Sequence, residues 1–580
     1  MRRNIIYYIF FGVFSLFVAG CGGGGGSGQS SGTAGGTTQP TRGVASEQEA
    51  AAFLSRSSFG ATQEQIDALV AAENYEQWFD AQFALSPNFH TDWAETHARG
   101  INGTGDLKDN PEDWRVYSGA LSYLQRDAWW DIVVNGEDQL RQRVAFALSE
   151  IMVISKFGSL INEPDARMSY YDLLVRNALG NFKTLLKEVT YHPAMGKYLT
   201  YLGNAKADPN KGNHPDENYA REVMQLFTIG LFQLNLDGSI KLDGQGKPLP
   251  TYLQQDIEEM AKVFTGLSDQ NSFFFAGDGG STHFSRTQPM IPYGQHHDSS
   301  SKHILGQIIA AGGSTDADID QAIDILFNHP NTGPFIARRL IQRLVTSNPS
   351  PQYVQRVATV FNDNGQGERG DLKEVVKALL LDEEAFDGVE SRAQTFGKAR
   401  EPLLFVAHLL RAFHAQKGMN TLYQGADALY EYSSYNLHGT GYTQQEGPLE
   451  ALTVFNYFTP DDAPYSLKKE GLVAPEFEVF GTSGLHQMLM GLINKDGFIY
   501  GTHNLTAELQ LGAEKSLLDA GKYDELLSRL NILLVGGQMS DYSKNAIKTY
   551  IEQDADIESD KLVRYVIGLI MISPDYAIQR

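Results

Sequence analysis

Cysteine is almost missing: the 580-residue chain has one, Cys21. A single thiol excludes an intrachain disulfide framework and any cysteine-based metal cage. Basic residues are scarce. Lys and Arg number 47 against 70 Asp and Glu, a formal charge of −23. Such a charge repels nucleic acid and anionic lipid. No basic run with interleaved aromatics offsets it, so no nucleic-acid partner is expected. After the leader no apolar run is long enough for a membrane span. No repeat with a period of roughly 20–50 residues appears, which excludes a simple solenoid. No Walker loop appears either. Gly28-Gln29-Ser30-Ser31-Gly32 has nucleophile-elbow spacing but lies in low-complexity sequence. Gly365-Gln366-Gly367-Glu368-Arg369-Gly370 has dinucleotide-fingerprint spacing but follows a helical pattern rather than a strand, so a helix-ending turn is expected there.

What is present begins at the N-terminus. Arg2 and Arg3 precede an apolar run from Ile5 to Val18 that closes on small residues, the pattern of a secretory signal over residues 1–20. The run is short of the roughly 20 apolar residues a span needs. Val18-Ala19-Gly20-Cys21 resembles the lipobox of bacterial lipoproteins. That resemblance implies cleavage before Cys21, diacylation of its sulfur and a lasting membrane anchor, since each buried methylene contributes about 0.8 kcal/mol. Gly22 stands where an Asp retains many such proteins at the inner membrane, which points to the outer membrane of a bacterial envelope. Residues 21–45 are rich in Gly, Ser and Thr and read as a tether, too poor in apolar groups to offset its ordering entropy. Its reach grows as about 5–6 Å times the square root of its length.

The body, residues 46–580, reads as mainly α: a large multi-helix bundle with long loops and a small β-hairpin, in one large or several fused domains. Thr62 with Gln65 forms a capping-box start. Over Asp138–Ile154, Leu140, Val144, Ala147, Leu148 and Ile151 share a face, while Arg141, Gln142 and Glu150 point away from it. Helical spacing recurs over Ser169–Val189, Asp216–Gln233, Gln254–Phe264 and Asp316–Phe327. It continues over Phe335–Val345, Gln352–Asn362, Leu372–Leu381 and Pro402–His414. It closes the chain over Thr506–Ala520, Tyr523–Leu534, Ser540–Gln553 and Ile557–Ile572. Asp237-Gly238 and Asp243-Gly244 place the hairpin within Leu236–Pro250. Ser268–His303 and Glu431–Tyr465 are long loops rich in turn residues, where function often resides. Tyr430, Tyr432, Tyr435, Tyr442 and Tyr457 serve either to pack the second loop on itself or to stack on sugar rings.

The densest polar stretch runs from His192 to Thr228. Asp216 is placed to cap a helix. Glu217 and Arg221, and Asn218 and Glu222, are four apart, so two carboxylates, an amide and a guanidinium occupy neighbouring faces near His214. The pattern serves either a structural polar network or an acid/base site. In the second case Arg221 keeps one carboxylate ionised while burial raises the other. Catalytic candidates are therefore Glu217, Glu222, Arg221, Asn218 and His214.

Asn218-Tyr219-Ala220-Arg221-Glu222, Leu226-Phe227-Thr228 and His192-Pro193-Ala194-Met195 together resemble a bacterial domain family of unknown function, the one numbered eighteen hundred. The resemblance continues at Phe53-Leu54-Ser55-Arg56 with Phe59-Gly60, at Val263-Phe264-Thr265-Gly266, and at His297-Asp298 with Lys302, Leu305 and Gly306. It also includes Lys398 with Glu401-Pro402, and Val454-Phe455-Asn456-Tyr457-Phe458-Thr459-Pro460. It covers the body from about Ala50 onward and implies export but no activity, so it assigns no catalytic residue.

A second polar group comprises His283, His296, His297, Asp298 and His303. Histidine with carboxylate suits a divalent transition metal, although the spacing matches no zinc motif. His297 and Asp298 are the metal candidates. Asp208, Asn210 and Asp216 offer oxygen ligands for calcium, but Asn213 and Tyr219 stand where an EF-hand loop needs Gly and Glu. Two functional classes follow. One is a lipid-anchored envelope interaction or assembly protein working with an exported protein or a polysaccharide. The other is an envelope hydrolase using the Glu/Arg/His site, with or without a metal. Mass spectrometry of the membrane-extracted chain should find an N-terminal acylated Cys21, and Cys21→Ala should leave the leader uncleaved and the cysteine-borne lipid absent.

Overall fold

A computed structural model describes residues 43–102, 118–210, 212–270, 275, 286–424, 428–434, 446–479, 507–554 and 557–580. The leader, Cys21 and all of the tether before Gly43 lie outside these residues. So do His283, Tyr435 and Tyr442. Among the described residues helices dominate, and the strands form four small antiparallel sheets of two or three strands. Among the described residues no helix is long and apolar enough to cross a membrane.

Helix starts follow side-chain chemistry. Ser46, Asn74, Asn181, Ser314, Ser350, Asp371 and Ser540 each accept a hydrogen bond from a first-turn amide, filling donors that a helix leaves open. Thr62 and Gln65 form the expected capping box. One cap comes from a distant element. Asp172, on the helix Pro164–Asn177, accepts from the amides of His90 at 2.7 Å and Thr91 at 3.0 Å, at the start of the helix His90–Asn102.

Two expected helices are corrected. Ser169–Val189 is two helices, Pro164–Asn177 and Phe182–Tyr191, because Asn181 caps a new start after Gly180. Asp216–Gln233 shrinks to Asn218–Gln225. There Thr228 donates its hydroxyl back to the Val223 carbonyl, and Gly230 takes a left-handed φ of 70° that ends the helical path. Asp216 still accepts from the Asn218 amide at 2.9 Å.

The helix Gln139–Ser149 runs through the centre of the body, and nearly all of its residues are buried. Gln142 and Glu150 are therefore buried, against the expectation that they face away. A helix surrounded on every side has no solvent face, so its polar residues must find partners inside.

The hairpin is present and larger than the sequence suggests. Residues 231–233 pair with 249–251, 233–235 with 239–241, and 241–243 with 247–249. The turns carry left-handed Gly238 and Gly246, the latter in place of Gly244. Asn331 fixes this unit to the body. Its amide donates to the carbonyls of Ile229 and Phe232, each at 2.8 Å, and its oxygen accepts from the Leu234 amide at 2.9 Å. A second hairpin, Gln416–Gln424 with Ala428–Ser434, falls partly in the segment read as an aromatic loop. The Gly365–Gly370 stretch is the expected turn after the helix Pro351–Asn362, with Asp363 accepting from the amides of Gly365 and Gly367.

Asn331→Ala removes three hydrogen bonds at a residue that is 1% exposed. Stranding such groups costs about 1–3 kcal/mol. Urea unfolding should show that loss, together with faster amide exchange confined to residues 229–251.

Candidate functional site

The helix Asn218–Gln225 holds its polar residues near the surface. Glu217 accepts from Arg221 at 3.0 Å and from Gln254 at 2.9 Å, and both members of the ion pair are about one-third exposed. An exposed pair of this kind contributes about 0.3–0.5 kcal/mol. Asn218 donates to the Thr200 hydroxyl at 2.7 Å, and Thr200 donates to Asp216 at 2.9 Å. Glu222 is more enclosed. Burial raises its pKa against the pull of Arg221, and its Oε2 has no donor. The two carboxylates thus sit in different surroundings. His214 is exposed, and no hydrogen bond or ion pair joins it to either one.

His297 and Asp298 diverge. His297 is buried, with Nδ1 at 2.9 Å from the Thr265 carbonyl and Nε2 at 3.1 Å from Asp318. Lys302, fully buried, donates to the same Asp318 oxygen at 2.6 Å. Asp298 instead accepts from the amide and hydroxyl of Ser300. His297 is thereby tied to a structural ion pair. Among the described residues no three His, Cys, Asp or Glu side chains gather as a metal ligand set.

A further centre lies deeper. Glu150 ends the helix Gln139–Ser149, and Arg343 comes from the helix Thr332–Leu344. Lys398 and Glu401 stand just before the helix Pro402–Ala412, and Glu446, Asn456, Phe458 and Glu476 come from the segment beyond it. Glu150 Oε1 lies 3.0 Å from Arg343 and accepts from Asn456 at 3.1 Å. Lys398 reaches Glu401 at 2.9 Å and Glu476 at 3.4 Å, and donates to the Arg343 carbonyl at 3.0 Å. Arg143 donates to that carbonyl at 2.7 Å. The Arg343 guanidinium stands 4.5 Å from the centre of the Phe458 ring, a cation–π contact strengthened by exclusion of water.

The four carboxyl groups do not share one protonation state. Burial pushes Glu150 up to about 8, with Arg343 opposing and Glu401 adding to the rise. Against its own burial, Glu401 is held below the usual range by Lys398, Arg343 and Arg143. Oε2 of Glu150 and Oε2 of Glu401 are each buried without a hydrogen-bond partner. A neutral Glu150 near an ionised Glu401 avoids burying two like charges together. Glu446 and Glu476 are also raised, chiefly by burial.

Two left-handed residues without glycine's freedom, Leu449 at φ 59° and Asn456 at φ 66°, lie on the segment over this centre. Each such residue costs about 1–3 kcal/mol. The segment is held down by Lys156, whose amide donates to the Leu449 carbonyl at 2.8 Å, and by the Ser155 hydroxyl on Ala451. Between it and the helix lies a void with room for about one water, lined by Glu150 and Asn456.

The fold and this centre define a large helical body organised around buried ion pairs. The chain belongs to the DUF1800 family, described as a protein of unknown function, whose model matches residues 52–578. No curated protein and no solved structure matches it. The stretches that carry the resemblance converge in space. Lys398, Glu401, Asn456 and Phe458 meet at the deeper centre, where Arg143 also stands 5.9 Å from the Phe59 ring, while Thr265, His297 and Lys302 meet at Asp318. Glu150 and Arg343 carried no signal of their own. A carboxylate at a helix end and an arginine within an amphipathic helix read as solvent-facing.

Because Glu150 is raised in the folded state, its carboxyl holds a proton there that it loses in the unfolded chain between about pH 4.5 and pH 8. Its contribution to stability therefore falls as pH rises through that window and levels off above it. Glu446 and Glu476 act in the same direction, while the lowered His192, His329 and His408 act in the opposite one below about pH 6.5. Glu150→Gln keeps a neutral, hydrogen-bonding side chain, so the stability of the variant relative to the wild type, read as urea midpoints, should rise from pH 5 to pH 8. An unchanged slope would place the titration elsewhere.

Proposed function

We propose that this chain is an exported envelope protein, anchored through lipid on Cys21, that docks an exported partner protein through the apolar face of its 231–251 hairpin unit. One observation carries the reading. Paired residues of a sheet share a face, and the bridges Phe232 to Pro250, Leu234 to Ile240 and Leu242 to Pro248 place six apolar side chains on one side. Phe232 is 38% exposed, Ile240 43% and Leu242 56%. Leu231, Leu236 and Leu253 are exposed nearby. A soluble body that turns the apolar face of a sheet outward marks a contact surface.

The chemistry of the face selects the occupant. It offers no polar groups to a polysaccharide, and the charge of −23 repels anionic lipid. An apolar protein surface is what it fits. Covering the exposed half of each large side chain yields about 1 kcal/mol apiece. Asn331 holds the unit rigidly, so little ordering entropy opposes docking. The lipid and tether keep the body at the envelope, where an exported partner is encountered.

The combined variant Phe232→Asp, Ile240→Asp, Leu242→Asp changes exposed positions only and should leave thermal unfolding unchanged. In detergent extracts of the native envelope, the wild type should migrate as an assembly larger than one chain and the variant as a single chain. A wild type that runs as a single chain, or a variant that stays assembled, would contradict the docking reading.

A further inference from the structure

A small void, apart from the hairpin, is walled by Ser58, Phe59, Arg143, Arg400, His408 and Gln579 among others. It has room for about one water. Two of these side chains are guanidinium groups, which carry fixed positive charge in proteins. None of the lining residues is acidic. The wall is assembled from distant segments: the turn after the helix Glu47–Ser57, the helix Gln139–Ser149, the helix Pro402–Ala412 with the residues before it, and the C-terminal strand Ile578–Gln579. Gly60 permits their close approach. Its φ is 128°, and a Cβ there would collide with the His408 ring.

The charges of this wall are not matched by its own residues. Arg143 is 1% exposed; its Nη2 donates to the Arg343 carbonyl, while its Nη1 is buried without a hydrogen-bond partner. Arg400 donates to His408 Nδ1 at 2.8 Å and stands 4.4 Å from the centre of the Tyr576 ring. Among the described residues no carboxylate is ion-paired with Arg400. His408 accepts at Nδ1 and so donates from Nε2 to the Leu533 carbonyl at 2.9 Å, which fixes a neutral ring. Ser58 accepts from the Gly60 amide and donates to the Leu54 carbonyl, and Gln579 donates to the Leu344 carbonyl. Elsewhere buried cations meet carboxylates, as Lys302 meets Asp318 and Lys398 meets Glu401. A buried charge without a counter-charge is costly, and so is a buried donor without an acceptor.

We propose that this void is a binding site for one halide ion, chloride in the native setting, held between Arg143 Nη1 and the Arg400 guanidinium. A halide accepts hydrogen bonds and donates none, which suits a wall whose unspent group is an arginine donor. It supplies the negative charge that the lining residues lack. A monatomic ion close to water in size enters a void of one water, whereas phosphate, sulfate and carboxylate ligands are too large for it. The ion has a structural role. It joins the Phe59-Gly60 turn to the C-terminal strand through two arginines that would otherwise repel each other, so the folded chain binds it and the unfolded chain does not.

The test melts the full mature chain, purified in detergent, in sodium chloride, sodium bromide or sodium gluconate at one ionic strength. Gluconate is too large for the void and serves as the control. The unfolding midpoint should be higher in chloride and bromide than in gluconate. It should climb with the logarithm of halide concentration, by about 1 °C per tenfold for a body of this size. Arg400→Met removes the charge and keeps a long side chain, and its midpoints in the three salts should coincide. Crystals grown in bromide should show one anomalous peak beside Arg143 Nη1. The proposal is overturned if the wild-type midpoints in chloride and gluconate coincide, or if Arg400→Met keeps the full halide effect. Density in the void without an anomalous signal, the mark of a water, overturns it as well. Should Arg400→Met fail to fold, the wild-type midpoints and the bromide map decide by themselves. None of these outcomes bears on the hairpin, which the assembly experiment tests separately.

Discussion

Seven ionisable side chains withdrawn from water at one point constrain what can pack around them: Arg143, Glu150, Arg343, Lys398, Glu401, Glu446 and Glu476. Removing an ion from water costs several kcal/mol even after relaxation, and that cost is offset only where partners and hydrogen bonds are complete. Five chain segments must therefore arrive together. Lys398 illustrates the demand, since its ammonium group faces Glu401, Glu476 and the Arg343 carbonyl at once. Loss of any one segment strands charge inside the body. The same arithmetic explains why burial and Glu401 raise Glu150 while Lys398, Arg343 and Arg143 hold Glu401 low, because two nearby carboxylates cannot both ionise cheaply.

The centre also shapes its surroundings. Asn456 reaches Glu150 from a left-handed backbone position, and Leu449 takes the same kind of strain a few residues earlier. Such strain persists only where neighbours over-determine it, and here the hydrogen bonds from Lys156 and Ser155 do so. The small voids beside His90 and beside Glu150 share Pro448 and Leu449 of this strap as a wall. The hairpin unit is independent of it. Asn331, just before the Thr332–Leu344 helix, anchors it, and Leu234 packs on the core while Phe232, Ile240 and Leu242 are exposed.

Local chemistry was legible in proportion to its locality. The Thr62–Gln65 capping box, the turn at Gly365–Gly370 and the last three long helices depend on neighbours within a few residues, and they stand where the spacing puts them, give or take a terminus. The helix expected over Thr506–Ala520 is only Gly512–Asp519, because Ala507 and Glu508 pair as a strand with Gln416 and Lys417. The break at Gly180-Asn181 was a local signal that went unread, since apolar periodicity carried across it. The helix after Asp216 ended early because Thr228 and Gly230 yield to a hairpin clamped by the distant Asn331. The dense polar stretch drew attention to Glu217 and Arg221, whose contacts stay within one helix and its neighbour. Of the buried centre, Lys398, Glu401, Asn456 and Phe458 stood in stretches that carry the family resemblance, but nothing in the sequence joined them to Glu150 and Arg343, which lie 193 positions apart from each other.

The sequence by itself determined that the body is mainly helical, that its only thiol sits in a lipobox-like stretch, and that its family is DUF1800. Periodicity, composition and short motifs act along the chain and need no tertiary context. The tertiary structure alone decided which charges leave water. Glu150 faces Arg343 across 193 positions, and His90 faces Asp172 across 82. Pairing at that range is set by how helices pack, and neither residue type nor spacing encodes it.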